Sequence, residues 1–260
     1  MIERWTADAV TLAREAGEIT LRAFGGRVEH DDKADGTPVT RADREAETLL
    51  RDGILERYPD HGILGEEFGE TNPSARVRWI LDPIDGTRSF MHGVPLYGVL
   101  VGIEADGEPV VGVAHFPALG ETVAAGRGQG CTLNGEPCSV STVDRVEDSL
   151  VLTTDVERIL SRPQGPGWRR LQQRAAFSRT WGDCYGHALV ATGRAEAMVD
   201  PVLSPWDAGP LLTLLVEAGG SFTALDGTAS IHGGSGISTN GLLHETVLAH
   251  LDPDRDEAGG

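Results

Sequence analysis

The chain has 260 residues, 40% of them hydrophobic, enough to bury one large core or two closely joined ones. Its 40 acidic against 22 basic side chains leave a net charge of −18, which argues against nucleic acid and anionic membrane surfaces as partners. No apolar run reaches membrane-spanning length, the start lacks a secretion-signal core, and three cysteines without zinc spacing fit reduced thiols in a cytoplasm.

Residues 2–24 predict a helix, with Ala9, Leu12, Ala13, Ala16, Ile19 and Ala23 at helical spacing and Gly25-Gly26 as its stop. The charged segment 30–38, which contains Lys33, reads as a loop or loose hairpin. Thr40 and Asp43 form a capping-box-like start for a second helix that runs to about Tyr58. Residues 59–62 are a turn, and Ile63-Leu64 is a short strand leading to Gly65-Glu66-Glu67. Strands are expected at 99–103, 110–114 and 122–125, with hairpin signals at Asp106-Gly107 and Asn134-Gly135. Beyond about Val143 the pattern alternates, with strands at 150–152 and 197–199 and helices at 168–174, 184–192 and 205–218. The last helix opens on Pro205 and closes on Gly219-Gly220. Antiparallel strands first and alternating elements later predict an α+β protein with two sheets and helix layers between and outside them.

Segment 79–90, Trp-Ile-Leu-Asp-Pro-Ile-Asp-Gly-Thr-Arg-Ser-Phe, carries the chemistry. Trp79, Ile80 and Leu81 predict a buried strand that delivers Asp82 at its end, and Pro83 is expected to stop the pairing. Asp85 presents a second carboxylate, Gly86 clears space beside the backbone, and Thr87 has the chemistry of an N-cap beside open N–H groups. Acids that suit Mg²⁺ next to donors that suit an anion point to a metal-bound phosphate. Asp-Pro and Asp-Gly are also plain turn chemistry. The Asp-x-x-Asp spacing differs from the Asp-x-Asp-Gly-Thr of phosphatases whose first Asp attacks phosphorus, so both acids read as ligands. Glu66 and Glu67 follow a strand end as Asp82 does. Asp207 and Asp43 each stand in the first turn of a helix, where they could also simply complement the helix dipole.

Thr37-Pro-Val-Thr-Arg-Ala-Asp43, Gly65-Glu-Glu67, segment 79–90, Gly193-Arg194, Pro205-Trp-Asp207 and Glu217-Ala-Gly-Gly220 together resemble the inositol monophosphatase superfamily of Mg²⁺-dependent phosphatases. The resemblance spans about residues 7–250. It implies a five-layered αβαβα fold, usually dimeric, with an N-terminal half (1–143) that binds metal and phosphate and a C-terminal half (144–260) that completes the site. It implies Glu66, Asp82 and the Ile84 carbonyl on one Mg²⁺, Asp82, Asp85 and Asp207 on a second, and a weaker third ion at Glu66; Mn²⁺ is an alternative metal. Gly86 and Thr87 would give N–H groups to phosphate, while Thr87, Asp43 and Glu66 form the catalytic set, with Thr87 and Asp43 taking a proton from the attacking water. Two ions about 4 Å apart would clamp the attacking and leaving oxygens, with no covalent phosphoenzyme.

Within that superfamily, Asp85-Gly-Thr-Arg-Ser-Phe90 and Arg179-Thr-Trp-Gly-Asp-Cys-Tyr-Gly186 resemble the histidinol-phosphate phosphatase branch, which acts in histidine biosynthesis. Inositol phosphatases usually carry Gly-Ser-Ala where this chain has Gly182-Asp183-Cys184, and a Glu at the place of Asp200. Asp183 and Asp200 are therefore the candidate partners of a cationic substrate body. Asp183 could equally cap the helix that starts near Cys184. An inositol or 3'-phosphonucleotide phosphatase of the same superfamily is the alternative reading, and a catalytically silent metal-binding regulator a more remote one.

Overall fold

The computed structural model describes residues 1–25, 30–32 and 38–252. Helix α1 (Ile2–Ala23) buries Trp5, Ala9, Leu12, Ala13 and Ala16 on one stripe, and the chain turns at Gly25 in the left-handed region. A two-stranded ribbon, β1 (His30–Asp32) and β2 (Pro38–Thr40), leads into α2 (Arg41–Arg57). The segment 30–38, expected as a loop or loose hairpin, is a hairpin at its ends, while Lys33 and residues 34–37 lie outside the described ones.

Strands β3 (Gly62–Gly65), β4 (Gly69–Thr71), β5 (Val77–Asp85), β6 (Gly98–Ala105), β7 (Glu108–Phe116), β8 (Glu121–Gly126), β9 (Gly130–Leu133) and β10 (Glu136–Cys138) form an eight-stranded sheet in the order β10-β9-β8-β7-β6-β5-β3-β4. A short helix, α3 (Thr87–Met91), follows β5. The second, five-stranded sheet has the order β12-β11-β13-β15-β14, from β11 (Leu150–Thr153), β12 (Phe177–Arg179), β13 (Ala197–Asp200), β14 (Ser221–Thr223) and β15 (Gly236–Thr239). The remaining helices are α4 (Val156–Leu160), α5 (Gly165–Arg174), α6 (Asp183–Ala191), α7 (Pro205–Glu217) and α8 (His244–Leu251).

The layers follow from the two-residue period of the strands. On β5, Trp79 and Leu81 point one way and join Trp5, Leu12, Leu50 and Ile54 of α1 and α2. Ile80 points the other way, into a cluster that holds Ala188 of α6, Leu211 and Leu214 of α7, and Met198 and Phe222 of the second sheet. Trp168, Leu171, Val247 and Leu251 of α5 and α8 close the far face over Val151, Val199 and Ile237. The result is the expected five-layered αβαβα arrangement. Helix α7 sits unusually close to the large sheet. A Cβ on Gly102 would lie 2.8 Å from the Gly209 backbone carbon, and one on Gly112 would strike the Pro210 carbonyl. Among the described residues, no helix is long and apolar enough to cross a membrane.

Pro83 does not end its strand. β5 continues to Asp85, and the register against β6 shifts between Asp82 and Asp85. The irregularity carries Pro83 through a place where the ladder asks for no N–H, and it re-aims the two acids on either side.

Candidate active site

Three carboxylates converge where β5 meets the first turns of α6 and α7. Asp82 is buried, and its Oδ1 accepts from the Ile84 N–H at 2.9 Å, a bond that folds the end of β5 back on itself. Asp85 Oδ2 accepts from the Cys184 N–H at 2.5 Å and so ties the large sheet to α6. Asp207 is held as the third residue of α7, its Oδ2 accepting from the Ser204 N–H at 2.7 Å. One oxygen from each of Asp82, Asp85 and Asp207 lies within 4.8 Å of the other two.

The electrostatics of this cluster are strained in one direction. Burial pushes Asp82 well above the usual carboxylate range, and Glu66, Asp85 and Asp207 push it further. Burial, then Asp183 and Asp207, does the same to Asp85, while the bond from Cys184 works against the shift. Burial raises Asp207 to about 6 despite the bond from Ser204, with Glu66 and Asp183 adding to it. The charges that raise these acids are other acids. Oxygen donors packed this way fit a hard divalent cation, and the observation that makes the case is mutual repulsion built into a fixed backbone frame.

Glu66 reaches the same cluster from the end of β3, where its N–H donates to the Leu81 carbonyl at 3.1 Å. Its carboxylate acts on Asp43, Asp82 and Asp207 alike. The residue that shapes this loop escaped the sequence reading. Glu47 of α2 is fully buried; its Oε2 accepts from the Glu67 N–H at 2.7 Å and its Oε1 from the Phe68 N–H at 3.2 Å. Arg51 donates to Glu47 Oε1 at 2.7 Å and also to the Gly69 carbonyl and Thr71. Gly65 leaves the space that the Glu47 carboxylate fills. The available signal was a charged side chain one position from Ala46 on the apolar face of α2, one turn after Asp43.

Asp43 forms the predicted capping box. Its Oδ2 accepts from the Thr40 N–H at 2.8 Å and the Thr40 hydroxyl at 2.5 Å. Its Oδ1 is buried and has no hydrogen-bond partner among the described residues. Burial, opposed by Thr40 and aided by Glu66, raises Asp43 to about 6. Thr87 differs from expectation twice. Gly86, at φ +83°, takes the cap position of α3 and Thr87 is the first helical residue, because the left-handed turn that starts the helix needs a glycine. The Thr87 hydroxyl donates to the Ile84 carbonyl at 3.0 Å rather than to Asp43, on the same oxygen that the resemblance assigned to a metal, whose second lone pair stays available.

Asp183 does not cap α6. Gly182 holds the cap position, Asp183 is the first residue of the helix, and it makes no side-chain cap bond. Its backbone adopts φ +51°, a region that non-glycine residues enter at a cost. The carboxylate instead packs against Gly86: a Cβ there would lie 3.1 Å from Asp183 Oδ2. Burial raises Asp183 to about 6, while a bond to Ser89 and the charge of Arg88 act the other way. Asp200, expected to meet substrate, is buried behind this point. Its Oδ2 accepts from the Thr154 hydroxyl at 2.6 Å and its Oδ1 from the Val202 N–H at 3.3 Å. Thr154 in turn accepts from the Asp183 N–H at 2.9 Å. Asp200 thus acts through Thr154 on the backbone of Asp183, and both carboxylate oxygens are already engaged. Burial, then Asp183 and Asp207, raises Asp200 to about 7 against its two hydrogen bonds.

The chain is similar over nearly all its length to proteins of known activity. It is 46% identical to a histidinol-phosphatase of Chlorobaculum parvum, covering 94% of this chain and 95% of that protein. It is 38% identical to a histidinol-phosphatase of Mycobacterium tuberculosis, over 94% and 96% of the two chains. The crystal structure of the extragenic suppressor protein suhB from Bartonella henselae superposes with a TM-score of 0.89 at 28% identity, covering 95% of this chain and 97% of that one. The model of the inositol monophosphatase family matches residues 1–254, and the chain belongs to that family.

Proposed function

We propose that this phosphatase hydrolyses L-histidinol phosphate to L-histidinol and phosphate, a step of histidine biosynthesis, with Mg²⁺ held by Asp82, Asp85, Asp207 and Glu66. The bound metal would supply a Lewis acid for the phosphate oxygens and lower the pKa of an attacking water. The protein's own groups do the rest. Asp43 keeps one oxygen on Thr40 and leaves the other, buried and unpartnered among the described residues, free to take a proton from water. The Gly86 and Thr87 amides lie at the start of α3, where open N–H groups suit a phosphate oxygen. Thr87 keeps its hydroxyl beside the Ile84 carbonyl and within the same turn.

The observation that carries the substrate assignment is Asp183. A carboxylate held in a left-handed conformation, passed over as a helix cap and packed against Gly86 supports a role opposite a cation on the substrate. Histidinol supplies an ammonium close to its phosphate, whereas inositol supplies only hydroxyls. The two close relatives above, named for histidinol phosphate, support the same reading. Phosphate release measured side by side on histidinol phosphate, inositol 1-phosphate and a 3'-phosphonucleotide tests it. Histidinol phosphate should win in kcat/KM by at least about tenfold, the discrimination one charge-assisted bond provides. A higher value for either of the other two overturns the substrate and leaves the phosphatase standing.

A further inference from the structure

Cys131 and Cys138 lie outside the active site and face each other directly across the β9–β10 hairpin. Asn134 and Gly135, at φ +54° and +87°, make the two-residue turn that closes it. Leu133 and Glu136 pair next to that turn, Thr132 and Pro137 follow, and Cys131 and Cys138 come third. Bonded and non-bonded pairs alternate along such a ladder, and Pro137 has no N–H to give, so the cysteines occupy a bonded pair with Cα atoms about 5.5 Å apart. That separation is inside the roughly 4.4–6.8 Å that a disulfide spans. Both side chains project from one face of the ladder as a directly opposed pair. Both are free thiols.

The two sulfurs are not equivalent. Cys131 is buried in the central core cluster, while Cys138 is half-buried and packs at its edge. Each thiol shifts the other, Cys131 upward and Cys138 downward, with burial opposing the drop at Cys138 and the charge of Arg194 assisting it. Arg194 is itself fixed by Glu121 through contacts at 2.9 and 2.8 Å. Cys138 is therefore the sulfur an oxidant meets first, and the buried Cys131 stands behind it as a resolving partner.

We propose that Cys131 and Cys138 form a reversible disulfide when a peroxide-class oxidant reaches the hairpin. The Cys138 thiolate attacks one peroxide oxygen, the O–O bond breaks, and the departing hydroxide takes a proton to leave as water. Cys131 sulfur then attacks the Cys138 sulfenic acid; the S–S bond forms, the S–O bond breaks, and the hydroxyl leaves as water with the Cys131 proton. Two thiols and one hydrogen peroxide thus become one disulfide and two waters.

The test treats the full chain with hydrogen peroxide, blocks remaining thiols with a maleimide, and reads intact mass and peptide maps. Of the three cysteines, only Cys184 should remain alkylated, and dithiothreitol should restore both others. Cys138→Ser should retain all its remaining thiols and the wild-type kcat. Cys131→Ser should stop at a sulfenic acid on Cys138, captured by dimedone; because Cys131 is in the core, Cys131→Ala is measured beside it. Retention of all three thiols in the wild type, a bridge to Cys184, or a bridge between chains on a non-reducing gel would each overturn the proposal.

Discussion

The wall of the site built on the eight-stranded sheet and the wall built on the five-stranded sheet hold their carboxylates by different means. On the first, backbone donors do the holding. Asp82 and Asp85 accept from the N–H groups of Ile84 and Cys184, and the Glu66 loop hangs from Glu47 by two more. On the second, a side-chain relay does it. Asp200 fixes Thr154, Thr154 fixes the Asp183 backbone, and Asp183 keeps an unfavourable φ. Backbone-held acids keep their positions through most substitutions around them. A relay of single side chains can be altered one link at a time. The division suits a family in which the phosphate chemistry stays fixed while the groups beside it can be altered one at a time.

The largest effect should come from the backbone-held wall. Asp85→Asn should fold and lose kcat by about 10³-fold or more, since a carboxamide is a poor ligand for Mg²⁺ and preorganised charge of this kind contributes on that scale. EDTA should silence the wild type, and added Mg²⁺ should restore it; full turnover in EDTA would remove the metal from the mechanism. Next comes Thr87→Ala, for which kcat should drop about 10²-fold while Thr87→Ser keeps part of the rate. Equal rates for the two variants would reduce Thr87 to a structural residue of α3.

On the relay-held wall, Asp183→Asn should lower kcat/KM for histidinol phosphate by about 10–100-fold, mostly through KM, and spare glycerol phosphate. Asn tolerates the left-handed region, so thermal stability should not move. Equal losses on both substrates would erase the distinction between the walls. Glu47→Gln sharpens it from the other side: Mg²⁺ affinity, measured by calorimetry, should weaken about tenfold, as loss of an outer support typically does. Unchanged affinity would mean that the Glu66 loop holds its own shape.

The smallest effect is on stability without metal. Asp207 is raised to about 6 from an ordinary 3.8. The folded state therefore binds the proton more tightly than the unfolded one. The stability this confers is fully present below about pH 3.8 and is lost as pH rises through about 6. In EDTA at pH 7, Asp207→Asn should melt about 2–4 °C above the wild type, and the gap should close or reverse with Mg²⁺. A lower midpoint for the variant in EDTA would show that its cap to Ser204 outweighs the relief of repulsion.

Much of the site is legible in the sequence because it is contiguous there. Residues 79–87 give the strand, both acids and the left-handed turn that opens α3 in one stretch, and Pro205-Trp206-Asp207 marks a helix start that needs no partner to be read. The fold's layers follow from the same periodicities. What stayed hidden depends on distant contacts. Glu47 becomes a support only when β3 and α2 are packed together, and Asp200 is drawn inward by Thr154, 46 residues earlier. The N-cap expected at Thr87 went to Gly86 because chain reversal outranked capping preference. Strands β12, β14 and β15 are three or four residues long and rich in Ser, Thr and Gly, so they carry no alternation to detect; α8 likewise went unread.

The close seating of α7 on Gly102 and Gly112 has a bearing on ion binding. Gly102 pairs with Ile80, two residues before Asp82, and Ile80 presses on Gly209, two residues after Asp207. The gap between helix and sheet is therefore a dimension of the acid cluster, and these glycines act as its gauge. A methyl group at position 102 would meet the α7 backbone on the face of the sheet that Ile80 shares, and so would press on the spacing of Asp82 and Asp207 without touching either. In this architecture the spacing of the three acids is tied to the thickness of the protein's middle layer.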